Sequence, residues 1–167
     1  MSKTRMIGRT FASLACASLL IGVVSAAQQT ALSQTNPLTA VLPLTTKSPE
    51  AKRLVEEALI LYLDRVEQEQ SIEILRKAVQ IDPNFAMAHE FLAQISLDSA
   101  EQVGEQEKAF AARNHATSSE QLVIEWYQDA AEHKLIPAIT KMNDVLNQYP
   151  HDKWVVWMAT WWRRISA

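Results

Sequence analysis

The chain has 167 residues, of which 48% are hydrophobic and 21% charged, and its formal net charge is −3. That is enough for one domain with a core, while three glycines, six prolines and few β-branched runs exclude a strand-and-turn fold and predict an all-α one. The acidity argues against nucleic acid, which calls for a basic footprint, and against a hold on anionic lipid.

The first 27 residues stand apart. Lys3, Arg5 and Arg9 precede the uncharged run TFASLACASLLIGVV, which exits through small residues. A basic start, a short apolar middle and a small-residue exit predict a secretory signal peptide cleaved after Ala26 or Ala27. The apolar run falls short of the roughly 20 residues that cross a bilayer. A lipidated Cys16 is not expected, because Ser13 stands where a bulky aliphatic is wanted. Cleavage removes three basic and no acidic side chains, so the charge moves from −3 to −6, and it removes the only cysteine. A secreted or periplasmic domain without a thiol is held by packing alone.

Residues 28–47 mix Gln, Thr, Ser and Pro without a period and read as a flexible linker, with docking of the Val41-Leu42-Pro43-Leu44 piece on the domain as the alternative. Order is expected from 48 to 167. Ser48, Pro49 and Glu50 form a helix start: a capping hydroxyl, a residue with no N–H to leave unpaired, and an acid at the positive helix end. Leu54, Val55, Ala58, Leu59 and Tyr62 then recur at helical spacing to about Val66. A second helix, from about Gln68 to Ile81, presents Ile72, Leu75, Ala78 and Val79, and a third follows Asp82-Pro83 from about Asn84 to Leu97. Gly104 marks an expected break, followed by Ala109, Ala112 and Ala116. The serines of TSSEQL cap a fifth helix, a sixth carries the stripe Leu135, Ala138, Ile139, Met142, Val145 and Leu146, and a seventh begins at KWVVWMATWW.

Two prolines give the rhythm. Pro83 and Pro150 each close one helix and open the next, and they are 67 residues apart, close to twice the period of about 34 that marks two-helix repeats. Proline cannot continue a helix and redirects the chain, so each marks a corner between hairpins. Ser71, Leu75 and Ala78 supply small, large and small residues before the corner, and Val55, Ala58, Leu59 and Tyr62 fit the preceding helix. His89, Leu92 and Ala93 follow in the next unit. On these residues the chain resembles tetratricopeptide repeat proteins of the exported bacterial type over about 48–165. His89 stands where the family favours tryptophan, Glu105 where a small residue is usual, and Leu59 is bulkier than usual. The resemblance implies a short right-handed superhelix of about three hairpins with a Trp-rich capping helix, in which each hairpin covers the apolar face of the next.

Catalytic signatures are missing from the sequence. The glycines are isolated, no serine sits in a nucleophile elbow, and the mature chain has no cysteine. His89, His115, His133 and His151 lie on different segments, none with a second histidine at i+3 or i+4. No enzyme, metal or cofactor is expected. The resemblance implies instead a concave binding face on the first helix of each unit: Arg53, Glu56, Ile60, Leu63 and Asp64, then Met87, Glu90, Gln94, Leu97 and Asp98, then Tyr127. The family's carboxylate clamp asks for Lys and Asn where this chain has Glu56 and Ile60, so the implied partner is a basic or apolar protein segment. The last helix offers a second surface: Trp154, Trp157, Trp161 and Trp162, four of the five tryptophans, fall within nine residues beside Arg163 and Arg164. They read as the inner face of a capping helix, or as an interface patch for a second subunit or a membrane. The rivals to a binding scaffold are thus a self-associating or membrane-associated subunit and an exported hydrolase or sugar-binding protein with an unannounced site.

Overall fold

The computed structural model describes residues 40–165, with side chains through Arg163. The leader, residues 28–39 of the expected linker, and the side chains of Arg164 and Ile165 lie outside the described residues. Among those described there are seven α-helices, one 3-10 turn and no strand. The helices are α1 (Pro49–Arg65), α2 (Gln68–Ile81), α3 (Ala86–Ile95), α4 (Ser99–Ala112), α5 (Ser118–Ala131), α6 (Leu135–Gln148) and α7 (Lys153–Ile165).

Helix starts and stops follow local chemistry. The Ser48 hydroxyl accepts from the Ala51 N–H at 3.1 Å, and α1 ends on Val66 in the left-handed region, φ 61°. At the Asp82-Pro83 corner the Asp82 carbonyl accepts from the Phe85 N–H and its carboxylate from the Asn84 N–H, both at 3.1 Å. Thr117, not a serine, caps α5, in a reciprocal capping box with Glu120. The break expected at Gly104 is absent: α4 runs through it, and a Cβ there would meet nothing within 4 Å. A lone glycine costs a helix about 1 kcal/mol, which the packing of α4 on α3 outweighs.

Short links make hairpins of α1 with α2, α3 with α4, and α5 with α6. In turn α2 packs on α3, while α5 packs on α4 and α3. Helix α7 packs on α6 and also reaches α1. Val55, Leu75, Phe91, Trp126 and Met158 are among the residues with almost no exposure in a core that runs through all these helices.

His89 of α3 and Glu105 of α4 meet each other. His89 Nδ1 lies 2.5 Å from Glu105 Oε2, and both side chains are buried. The Pro83 carbonyl, which can only accept, takes the His89 Nε2–H at 3.0 Å. Lys108 reaches the other Glu105 oxygen from the surface at 2.6 Å. A polar pair thus fills the space expected to hold a bulky aromatic on α3 and a small residue on α4, and it ties the proline corner to both helices.

Candidate binding surface

The described end of the expected linker, residues 40–47, is not loose. It has no helix or strand, yet Ala40 and Leu42 are buried. Its polar groups are met by carboxylates at three helix starts. Asp152, just before α7, accepts the Leu42 N–H at 2.9 Å; Glu120, in the first turn of α5, accepts the Thr45 N–H at 2.7 Å and the Thr45 hydroxyl at 2.6 Å; Asp82, before α3, accepts the Thr46 hydroxyl at 2.5 Å. These bonds and the buried Leu42 side chain outweigh the freedom that its composition suggested. We call this stretch the strap.

Beside the strap lies a cleft of about 590 Å³. Val41, Leu42, Pro43 and Leu44 form one wall, Leu59, Ile60 and Leu63 of α1 another, and Phe91 with Trp154 the depth. Ile60 is 52% exposed and Val41 71%, so the cleft holds apolar surface open to water. Its rim is charged: Lys153 bridges to Asp64 across the mouth at 2.9 Å, and Lys52 and Glu56 also line it.

An aromatic seam explains why α7 reaches α1. Trp154 stacks edge-on against Phe91 of α3, with centroids 4.6 Å apart, and Tyr62 of α1 meets Trp157 at 5.2 Å. Trp154, Trp157 and Trp161 continue as a ladder along α7. Such edge-on and offset pairs are favoured by the ring quadrupole.

The expected concave face is therefore divided. Glu56, Ile60, Leu63 and Asp64 line the cleft, while Arg53 is exposed and paired with Glu57. Leu97 and Asp98 belong to a separate shallow hollow with Glu69, Glu73 and Arg76 of α2, and Gln94 is half-buried. Met87, Glu90 and Tyr127 are inside the core and unavailable to a partner. They are corrections to the implied face: α3 is packed by α2, α4 and α5, and these side chains fall within the core rather than on an open face. The proposed tryptophan patch is reduced likewise: Trp154 and Trp162 are buried, Trp157 is half-buried, and Trp161 remains 51% exposed.

Glu90 is the unusual group of this interior. Its Oε1 accepts from the Gln94 amide at 2.8 Å and its Oε2 has no donor. Burial pushes the carboxyl up to about 8, opposed only by the Gln94 bond. Tyr127 is pushed well above the usual phenol range, first by burial and then by the Glu90 charge. Neither lines the cleft. Among the described residues no three or more His, Cys, Asp or Glu side chains gather as metal ligands, and no helix is long and apolar enough to cross a membrane.

Sequence reading held docking of Val41–Leu44 only as the alternative and missed the three carboxylates. Nothing in the spacing of Asp82, Glu120 and Asp152 tells that their oxygens are aimed at residues 42–46. No family model, curated protein or solved structure matches this chain.

Proposed function

We propose that the chain is an exported, non-catalytic helical-repeat module of tetratricopeptide type that holds an apolar segment of a partner protein in the cleft between α1, the strap and α7. The repeat reading is supported by three successive hairpins, by corners at Pro83 and Pro150, and by the way His89 and Glu105 compensate each other. On this reading the hairpins form a short superhelix, and α7 fills most of its hollow side, narrowing a broad concave face to one cleft. Export rests on the basic-then-apolar start of the sequence.

The observation that carries the binding role is the exposure of Ile60 and Val41 within one hollow whose rim is polar. Apolar surface ringed by charge is the usual make-up of a recognition site, where the apolar centre provides affinity and the rim provides register. A preformed wall leaves the ordering cost to the partner segment alone. The test is a photo-crosslinking residue placed at Ile60, compared with one at Val103, which is exposed on α4. Cross-linked partner from Ile60 only is expected, and its loss on Leu63→Glu; equal yields from both positions would overturn the reading. Sequencing the N-terminus of the protein from its producing cells checks export: a start at Ala27 or Gln28 is expected, an intact Met1 is not.

A second reading follows from Trp161, which is 51% exposed on α7. Self-association through this side chain predicts a dimer in light scattering that Trp161→Ala dissolves. With Trp154 buried and Trp157 half-buried, Trp161 is the one ladder residue largely open to a partner.

A further inference from the structure

Each of the three corner carboxylates serves two clients. Asp82 takes the Asn84 N–H of its own corner on Oδ1 and the Thr46 hydroxyl on Oδ2. Asp152 takes the Val155 N–H of α7 on Oδ1 and the Leu42 N–H on Oδ2. Glu120 closes the capping box of α5 with Oε2, which also takes the Thr45 hydroxyl, and gives Oε1 to the Thr45 N–H. Each carboxylate is held by a bond at its own corner or helix start that does not involve the strap, so its position does not rest on the strap alone.

What the strap contributes has the make-up of a bound peptide. Two backbone N–H groups, from Leu42 and Thr45, meet fixed carboxylates whatever the side chains are; one apolar side chain, Leu42, is buried as an anchor; and two hydroxyls complete the pairing. The geometry points to the row Asp82, Glu120 and Asp152 being a peptide-binding site, occupied in cis by residues 40–46 and exchangeable with a partner protein's segment of the same chemistry. That segment has an apolar anchor, a hydroxyl residue three positions later and no acidic side chain, which three carboxylates would repel. A second copy of this chain is the poorer source. Only Lys47 separates Thr46 from Ser48, the cap of α1, so another copy's strap could arrive only with its own helices crowded against the same edge. The row shares Asp152 with the cleft's edge, while Asp82 and Glu120 lie outside the cleft, and its bonds to the strap do not need the cleft's ligand. Because Val41–Leu44 also wall the cleft, exchange at the row would reshape it.

The experiment uses the full chain carrying Leu42→Asp and Thr45→Pro, which removes the anchor, one N–H donor and one hydroxyl from the strap while leaving the row intact. A labelled synthetic peptide, AVLPLTTK, is titrated into this variant and into the unaltered chain. Saturable binding to the variant is expected, at least about tenfold tighter than to the unaltered chain, where the cis segment competes. Adding Asp152→Asn should weaken it, and a peptide with Asp in place of its first leucine should not bind. If the peptide binds neither protein, or both alike, while the tryptophan near-ultraviolet circular dichroism shows the variant folded, the inference fails. Should the variant not fold, hydrogen exchange in the unaltered chain decides. Leu42 and Thr45 amides that open well before those of α3 support exchange, and amides that open only with global unfolding overturn it. A concentration-dependent dimer of the unaltered chain that the double variant abolishes would assign the row to a second copy and overturn the partner-segment claim. Cross-linking at Ile60 reports on the cleft separately, so the two readings can fail independently.

Discussion

Nine of the ten residues of α3 are buried, including His89 and Glu90, whereas α6 buries only Ala138, Met142 and Val145 and leaves Leu135, Ile136 and Ile139 in water. The sequence of α6 has the cleaner apolar stripe. What differs is the neighbourhood: α3 is packed by α2, α4 and α5 and capped by Trp154, while α6 has α5 and α7. A helix is buried by the number of elements that find it. In a chain of hairpins the middle gains cover from both sides, and polar residues caught there must find partners.

The largest effect expected from this contrast is at the α3–α4 pair. Removing one member of a buried, hydrogen-bonded pair costs about 3 kcal/mol or more, because the other is left without its partner. Glu105→Ala should lower stability by that order in urea unfolding. The double change His89→Trp with Glu105→Ala sets a large apolar side chain against a small one and should recover at least half of the loss. Losses that simply add would show that the two side chains act separately.

Glu90 sharpens the contrast through pH. Its folded carboxyl titrates at about 8 against an ordinary value of 4.5, so the folded chain holds a proton that the unfolded chain releases. Below pH 4.5 both states are neutral and nothing is lost. Between there and 8 the stability falls as pH rises, at most by about 1.4 kcal/mol per unit. Glu90→Gln should flatten that slope and be the more stable protein at pH 7 to 8. Equal slopes for both proteins in unfolding series at pH 5 to 8 would mean that Glu90 is already ionised and partnered.

How much of this could be read beforehand divides along the same line. Periodicity, caps and the two proline corners mark six of the seven helices, all but α4, since helix starts and apolar stripes are local properties. Burial of Met87, Glu90 and Tyr127 depends on how many helices pack around α3 and α5, and no local pattern announces it. The strap's docking stayed the lesser alternative for a related reason. Its Gln, Thr and Pro neighbours are those of a linker, and its order comes from carboxylates 36 to 110 residues away. Gly104 misled in the opposite sense: a local breaker yielded to packing.

A smaller effect is expected where α6 begins. His133 is exposed and holds φ 59°, a left-handed conformation that side chains resist and glycine adopts freely. His133→Gly should therefore stabilise the protein by about 0.5–1 kcal/mol. If thermal unfolding shows a loss, the turn relies on the imidazole for a contact beyond its backbone shape.

The smallest effect tests whether the open stripe on α6 is spare surface. Ile136 is 80% exposed in the first helical turn. A carboxylate there is drawn to the positive helix end, so Ile136→Glu should change stability by no more than about 0.5 kcal/mol, toward the stable side. The matching change in α3, Ala88→Glu, puts a charge at a position with no exposure and should prevent folding. If Ile136→Glu leaves stability alone but dissolves an assembly seen in light scattering, the stripe is an interface whose cover comes from another molecule. If it alters neither, these side chains are ordinary surface, and the proposed recognition rests on the cleft beside α1.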